Sequence, residues 1–255
     1  MSDDYLTLNY GNVTKKITKF ISDQVDLRKK NGVVIGLSGG LDSSVCVILA
    51  SKAIENNKIT GLIMPEKRVT PKSDIRNAHS LAKDLKIRYK EISIERGKKI
   101  LLERLRKNKL SGGNFSARLR MALLYYYAGI NNLLVLGTAD KSELMLGYFT
   151  KFGDAGADIF PIGQLYKTQV KLLGKELELS AHIAKQPSSP RFWKGHLAEK
   201  EIGLSYKEID KVLESYIKQD LSDCEQSKRK IKLVTDMIEK SQHKKENIPI
   251  CNPFL

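Results

Sequence analysis

Two stretches of this chain carry residue types that could do chemistry. The first is Ser38-Gly39-Gly40-Leu41-Asp42-Ser43-Ser44, which directly follows the apolar run from Val33 to Leu37 and opens a helical pattern. Adjacent glycines let the backbone approach a ligand and turn its N–H groups inward, and a helix starting there adds unsatisfied N–H groups and a positive dipole end. That makes a cradle suited to pyrophosphate, with Asp42 as a carboxylate able to hold magnesium against a triphosphate. A tight turn at Gly39-Gly40, with Asp42 and Ser43 capping a helix, would use the same residues for structure alone. The loop is not a Walker A motif, because no lysine precedes the serine, and it is not a dinucleotide G-x-G-x-x-G loop.

The second stretch runs from Gly137 through Thr138, Lys141, Glu143, Gly147, Tyr148, Lys151 and Gly153 to Asp154. It follows the apolar run Leu133-Leu134-Val135-Leu136, and its charges and glycines are denser than a plain connection requires.

The elements that must position these stretches follow from periodicity. Ile17, Phe20, Ile21 and Val25 predict an amphipathic helix over about 14–30, ended by Gly32. Buried strands are predicted at Val33–Leu37 and Ile59–Met64, an alternating third strand at Tyr89–Ile94 and a fourth strand at Leu133–Leu136, separated by helices over about 42–56, 71–86 and from Glu95. The polar stretch Lys109–Gly113 reads as a break before a helix over about 114–128. Further on, Ile209, Val212, Leu213, Tyr216 and Ile217 make one helical stripe, and a last helix is expected over about 222–240. This alternation argues for an α/β fold, a doubly wound parallel sheet with helices on both faces, whose ligands bind outside the carboxyl ends of the strands. A single domain over 1–255 is expected, with a mobile loop at about 186–204 and a helical C-terminal region.

The 255 residues suffice for one α/β core. No apolar run reaches the roughly 20 residues of a membrane span, and the start lacks a signal-peptide layout, so the expected location is cytoplasmic. Cys46, Cys224 and Cys251 form no C-x-x-C pair, which favours reduced thiols over a zinc site or disulfide framework, and Cys46 reads as packing. The net charge of +15 would attract nucleic acid, acidic lipid or small phosphorylated substrates, or else belong to a solvated lysine-rich surface.

The first stretch resembles the PP-loop, the S-G-G-x-D-S signature of the N-type ATP pyrophosphatases. The second is similar to the G-T-x-x-K-S-E-x-x-x-G-Y-F-T-K-x-G-D stretch of the NAD synthetase family, continued at Pro161–Val170, Asn114–Met121 and Glu201–Tyr206. The resemblance runs from the first helix to the C-terminal region and implies a fold of the adenine nucleotide alpha hydrolase type. It implies a ligase that adenylates the nicotinate carboxylate of deamido-NAD with ATP and amidates it with ammonia, giving NAD and AMP. ATP contacts are implied at Gly36, Leu37, Ser38, Gly39, Gly40, Leu41, Asp42, Ser43, Ser44, Thr138, Lys167 and Ser189, and magnesium on Asp42 and Glu143. Deamido-NAD contacts are implied at Asn114, Arg118, Tyr148, Lys151, Asp154, Glu201 and His243, in a site built across a homodimer interface. Asp42, Lys167 and Asp154 would stand at the reacting centre. Read without the family, Tyr148 could be core packing, His243 a surface residue and Glu201 a helix-start carboxylate.

The loop departs from the family. Where relatives read P-P-S-A-x-L-W-x-G-Q-T-D-E, this chain keeps Ser189, Trp193 and Gly195 but has His196, Leu197 and Ala198 for the polar trio. Two alternatives stay open: a tRNA-modifying PP-loop enzyme, which the positive charge would suit, and a nucleotide-binding relative without chemistry. The Y-F-T-K-x-G-D stretch speaks against the first, so nucleic acid is not the expected partner; ATP, deamido-NAD and ammonia are.

Overall fold

The computed structural model describes residues 4–222 and 224–253. Helix α1 (Tyr10–Leu27) begins where the Asn9 side chain accepts the Asn12 N–H, and it buries Ile21 and Val25. Strand β1 (Val33–Gly36) leads through the glycine turn into α2 (Leu41–Ala53), then β2 (Ile59–Ile63), α3 (Lys72–Asp84) and β3 (Arg88–Glu91). Helices α4 (Glu95–Leu102) and α5 (Lys109–Asn131) precede β4 (Leu134–Leu136). The four strands are parallel in the order β3-β2-β1-β4, and an isolated parallel bridge joins Leu136 to Ile159. Alternate residues face opposite layers, as a pleated strand dictates. Val33, Ile35, Ile59, Ile63, Leu134 and Leu136 pack with Ile21 and Val25 of α1, Val45 and Leu49 of α2 and Ala78 and Ala82 of α3. Val34, Leu62 and Val135 face the other way, onto Ile94 and onto Leu124 and Ala128 of α5. The sheet is therefore covered on both faces, as the alternation predicts, although β3 is a mostly exposed edge.

Two expectations are corrected. The polar stretch at Lys109–Gly113 is not a break but the first turn of α5, because the Asn108 side chain accepts the Ser111 N–H and caps the helix upstream of the glycines. Gly113 is needed inside the helix because Phe192 lies against it: a Cβ there would stand 2.2 Å from the ring. The last long helix starts at Lys228 rather than near residue 222; its apolar stripe Ile231, Val234 and Ile238 lies wholly beyond Ser227, while Leu221 and Cys224 pack from non-helical backbone.

The remaining helices are α6 (Lys141–Leu146), α7 (Lys167–Glu176), α8 (Ala181–Ala184), α9 (Ala198–Ile202), α10 (Tyr206–Ile217), α11 (Lys228–Lys240) and α12 (Gln242–Lys245). Leu146, Tyr166, Ile202, Ile209, Leu213 and Val234 form a second core that docks the C-terminal helices against α6 and α7. Among the described residues no helix is long and apolar enough to cross a membrane.

Candidate active site at the carboxyl edge of the sheet

The turn after β1 is held in one shape by its own hydroxyls. Ser38 Oγ and Ser43 Oγ lie 2.9 Å apart, the Gly40 N–H donates to Ser38 Oγ at 3.2 Å, and Ser44 Oγ donates to the Gly40 carbonyl at 2.8 Å. Gly40 caps α2 without a side chain, which leaves the first N–H groups of the helix to a ligand. Cys46, one turn further in, is fully buried, and burial pushes its thiol pKa up, so it is a packing residue as expected.

Directly against this turn, one ammonium gathers three carboxylates. Lys167 Nζ, at the start of α7, lies 2.8 Å from Asp42 Oδ2, 2.8 Å from Asp140 Oδ2 and 2.9 Å from Glu143 Oε1. Asp140 and Glu143 are placed by α6, whose N-terminus is a capping box: the Glu143 N–H donates to Asp140 Oδ1 and the Asp140 N–H to Glu143 Oε2. Lys167 is placed by α10. Asp210 of that helix accepts from the Thr168 N–H, Thr168 Oγ1 and Ser142 Oγ, and Ser142 Oγ in turn accepts the Lys167 N–H.

Charge in this cluster is balanced against burial. Burial pushes the Asp140 carboxyl up to about 6, against the pull of Lys167, and raises Glu143 well above the ordinary carboxylate range for the same reason. Burial alone would lower Lys167, but Asp140, Asp42 and Glu143 outweigh it and keep the ammonium charged. With all three acids ionised, three negative charges face one positive, a surplus of two. Asp42 Oδ1 is buried and accepts no hydrogen bond. An uncommitted carboxylate oxygen in a cluster short of positive charge fits a divalent cation. Among the described residues no group of three or more His, Cys, Asp or Glu side chains closes a metal cage, so phosphate oxygens would have to complete the coordination.

Three adjoining cavities meet here. One of about 260 Å³ is lined by Gly36, Leu37, Ser38, Thr138, Arg120 and Ser189. A second, of about 130 Å³, is lined by Gly40, Leu41, Asp42, Glu143 and Lys167. A third, of about 440 Å³, is lined by Asn114, Tyr148 and Glu201. Asp154 lines all three; protein crowding raises its carboxyl pKa although its surface opens to the cleft, and the Thr150 N–H donates to it at 2.9 Å. Gly39 and Ser44 support the turn without lining any of these three cavities. Arg118, Lys151 and His243 lie outside the cavities, joined to one another: Arg118 Nη2 donates to the Lys151 carbonyl at 3.1 Å and Lys151 Nζ to the His243 carbonyl.

The loop over residues 185–197 is packed across the cleft. Arg191 Nε meets Asp74 Oδ2 at 2.9 Å, and Gln186 donates to the other oxygen of Asp74. His196, at the first departing position, is buried, stacks on Trp193 with ring centroids 3.7 Å apart, and meets Glu201 Oε2 at 2.8 Å. The same Glu201 oxygen accepts the Tyr148 hydroxyl at 2.5 Å. The altered residue thus ties the loop to two of the expected substrate residues, and Ala198 begins α9 instead of continuing the loop.

Asp140 and Asp210 were not marked by motif. The D-K-S-E spacing of a capping box was a signal for Asp140; Asp210 lies in an ordinary amphipathic helix and had none.

Comparison with known proteins places this geometry in a family. The family model for NAD synthase matches residues 13–248. The NH(3)-dependent NAD(+) synthetase of Hyperthermus butylicus is 41% identical over 262 residues, covering 98% of this chain and 94% of that one. The solved structure of an NMN synthetase from Francisella tularensis superposes with a TM-score of 0.87 at 33% identity, covering 97% of this chain and all of the other. That of an NH3-dependent NAD synthetase from Campylobacter jejuni, in complex with nitrate, gives 0.85 at 31%, covering 96% of this chain. With the model matched over most of the chain and relatives above 30% identity along nearly all of it, the chain belongs to the NAD synthase family.

Proposed function

We propose that the chain is an ammonia-dependent NAD synthetase. The observation that carries this reading is the convergence of Asp42 and Glu143 on one centre beside the PP-loop, in a chain of this family. The nicotinate carboxylate of deamido-NAD attacks the α-phosphate of ATP; the bond to the bridging oxygen breaks and pyrophosphate leaves. Ammonia then attacks the acyl carbon, AMP departs with the electron pair of the acyl–oxygen bond, and loss of a proton leaves the amide. Asp42 and Glu143 would hold magnesium, which would supply positive charge beside the departing pyrophosphate. The turn from Leu37 to Ser44 orients the phosphates with its N–H groups. Thr138 and Ser189 line the neighbouring cavity for the rest of ATP, and Asn114, Tyr148, Asp154 and Glu201 take the nicotinate side. A closed loop keeps water from the acyl-adenylate.

Arg118, Lys151 and His243 serve the deamido-NAD site of a second copy. Arg118 shares one exposed face of α5 with Ala122, Tyr125, Tyr126, Gly129 and Ile130, an apolar stripe suited to a homodimer interface. The test is an assay of the purified chain with ATP, magnesium, ammonium and deamido-NAD. NAD and AMP should form in equal amounts. AMP without NAD, or neither product, overturns the reading. The Francisella structure is of an NMN synthetase, so nicotinate mononucleotide is run beside deamido-NAD; preference for it would change the substrate and leave the chemistry.

A further inference from the structure

The acid cluster leaves a triphosphate short of positive charge. Asp42, Asp140 and Glu143, when ionised, exceed Lys167 by two negative charges, which a divalent cation only cancels. Lys167 donates to Asp42 and Glu143 and keeps an N–H for a phosphate oxygen, yet its charge is already in that sum. The charge of ATP therefore calls for a cation from outside the cluster. Arg191, on the loop, lines both the cavity of about 260 Å³ and that of about 130 Å³, beside Ser38 and Asp42. A guanidinium carries five N–H groups. Nε–H donates to Asp74 Oδ2 at 2.9 Å, and among the described residues the groups on Nη1 and Nη2 have no partner. Asp74 is buried in the first turn of α3, and its other oxygen accepts from Gln186 and Ser73, so the carboxylate that holds the arginine is itself fixed. That turn is pressed against the PP-loop: the Asp74 carbonyl oxygen lies 1.9 Å from where a Cβ on Gly39 would stand, and Asn77 Nδ2 donates to the Gly39 carbonyl at 3.4 Å.

We propose that Arg191 is a phosphate-binding residue: with Nε kept on Asp74, its Nη groups take oxygens of the ATP triphosphate. The inference rests on the ATP-cleaving reading above. A planar guanidinium can hold a carboxylate by one edge and a phosphate by another, and both contacts are charge-assisted. The side chain is 21% exposed, so such a contact is little screened by salt. The backbone at this point is strained: Arg191 keeps φ at +52°, and Ser189 Oγ accepts its N–H at 3.1 Å. Phosphate then fastens the loop from inside the cleft, in addition to the anchors at Asp74 and Glu201, and the loop is held most firmly when ATP lies under it. Once pyrophosphate leaves, that hold goes with it, and the loop is free to open for the other products.

The experiment measures binding of magnesium pyrophosphate to the whole purified protein by calorimetry, with steady-state kinetics and limited chymotrypsin digestion alongside. Arg191→Ala should weaken pyrophosphate binding and raise KM for ATP, each roughly tenfold, the scale of one hydrogen bond to a charged group, with KM for ammonium within about twofold. Arg191→Lys should recover only part of the loss, since an ammonium lacks the fork. Magnesium pyrophosphate should slow chymotryptic cuts after Phe192 and Trp193 in the parent but not in Arg191→Ala. Loss of the Asp74 pair alone would loosen the loop in the same way, so the change is repeated beside Asp74→Asn, where no buried carboxylate is left unpaired. Arg191→Ala should still cost roughly tenfold in pyrophosphate binding there. The proposal is overturned if Arg191→Ala binds pyrophosphate as the parent does, if its effect vanishes beside Asp74→Asn, or if the parent does not bind pyrophosphate at all. A parent that binds pyrophosphate through Arg191 yet makes no NAD would sink the proposed activity and leave this assignment standing.

Discussion

At Gly39 the backbone holds φ at +75°, and a Cβ there would stand 1.9 Å from the carbonyl oxygen of Asp74. Both conformation and space require glycine. Gly39→Ala should therefore cost about 1–3 kcal/mol in denaturant melts and abolish pyrophosphate binding, because relief of the clash moves the cradle or α3. Asp140 gives a pH prediction. Its carboxyl, raised by burial from 3.8 to about 6, holds its proton more tightly in the folded chain than in the unfolded one. The stability this group contributes is full below the unfolded value and is lost as the pH rises through about 6. Asn can still accept the Glu143 N–H, so Asp140→Asn keeps the cap but cannot ionise. The variant should match the parent near pH 4 and gain on it by roughly 1–3 kcal/mol by pH 7. Melts at several pH values that show a constant gap would reject this account.

At the level of elements, β1, β2, β4 and most helices were legible because burial on both faces writes apolar runs and burial on one face writes a 3.6-residue stripe, whereas the exposed edge β3 showed only alternation. The PP-loop and the Gly137–Asp154 stretch were legible for another reason: close approach to a ligand demands particular residues in a fixed order. The start of α5 was not, because Gly112 and Gly113 signal a turn locally and only the distant Phe192 explains them. Asp210 was invisible because its partners, Ser142 and Thr168, lie far off in sequence. The loop's closure could not be read either, since it depends on the stack of His196 on Trp193, a contact that no motif in the sequence marks. That loop is anchored on the PP-loop side by Asp74, through Arg191 and Gln186. Asp74→Ala should free it, so that trypsin cuts after Arg191 or Lys194 several-fold faster than in the parent, with KM for ATP raised and the melting temperature lowered only modestly. Unchanged proteolysis would show that the His196 side alone holds the loop.

For the whole molecule, a net charge of +15 surrounds a site that takes polyanions. KM for ATP should rise between low salt and about 0.5 M salt as that attraction is screened, more steeply than KM for ammonium, itself a cation. The exposed face of α5 predicts association: sedimentation should find a dimer, and Tyr126→Glu with Ile130→Glu should give a folded monomer that has lost activity. A folded, fully active monomer would remove the shared-site reading. The sealed thiol beneath the PP-loop also makes the chain its own timer. Cys251 is exposed and Cys224 partly so, while Cys46 is closed off. In excess thiol reagent the two outer sulfurs should be modified first, and the third only as often as α2 breathes away from its neighbours. Anything that seats in the cradle should slow that last reaction, so occupancy could be followed with no turnover at all.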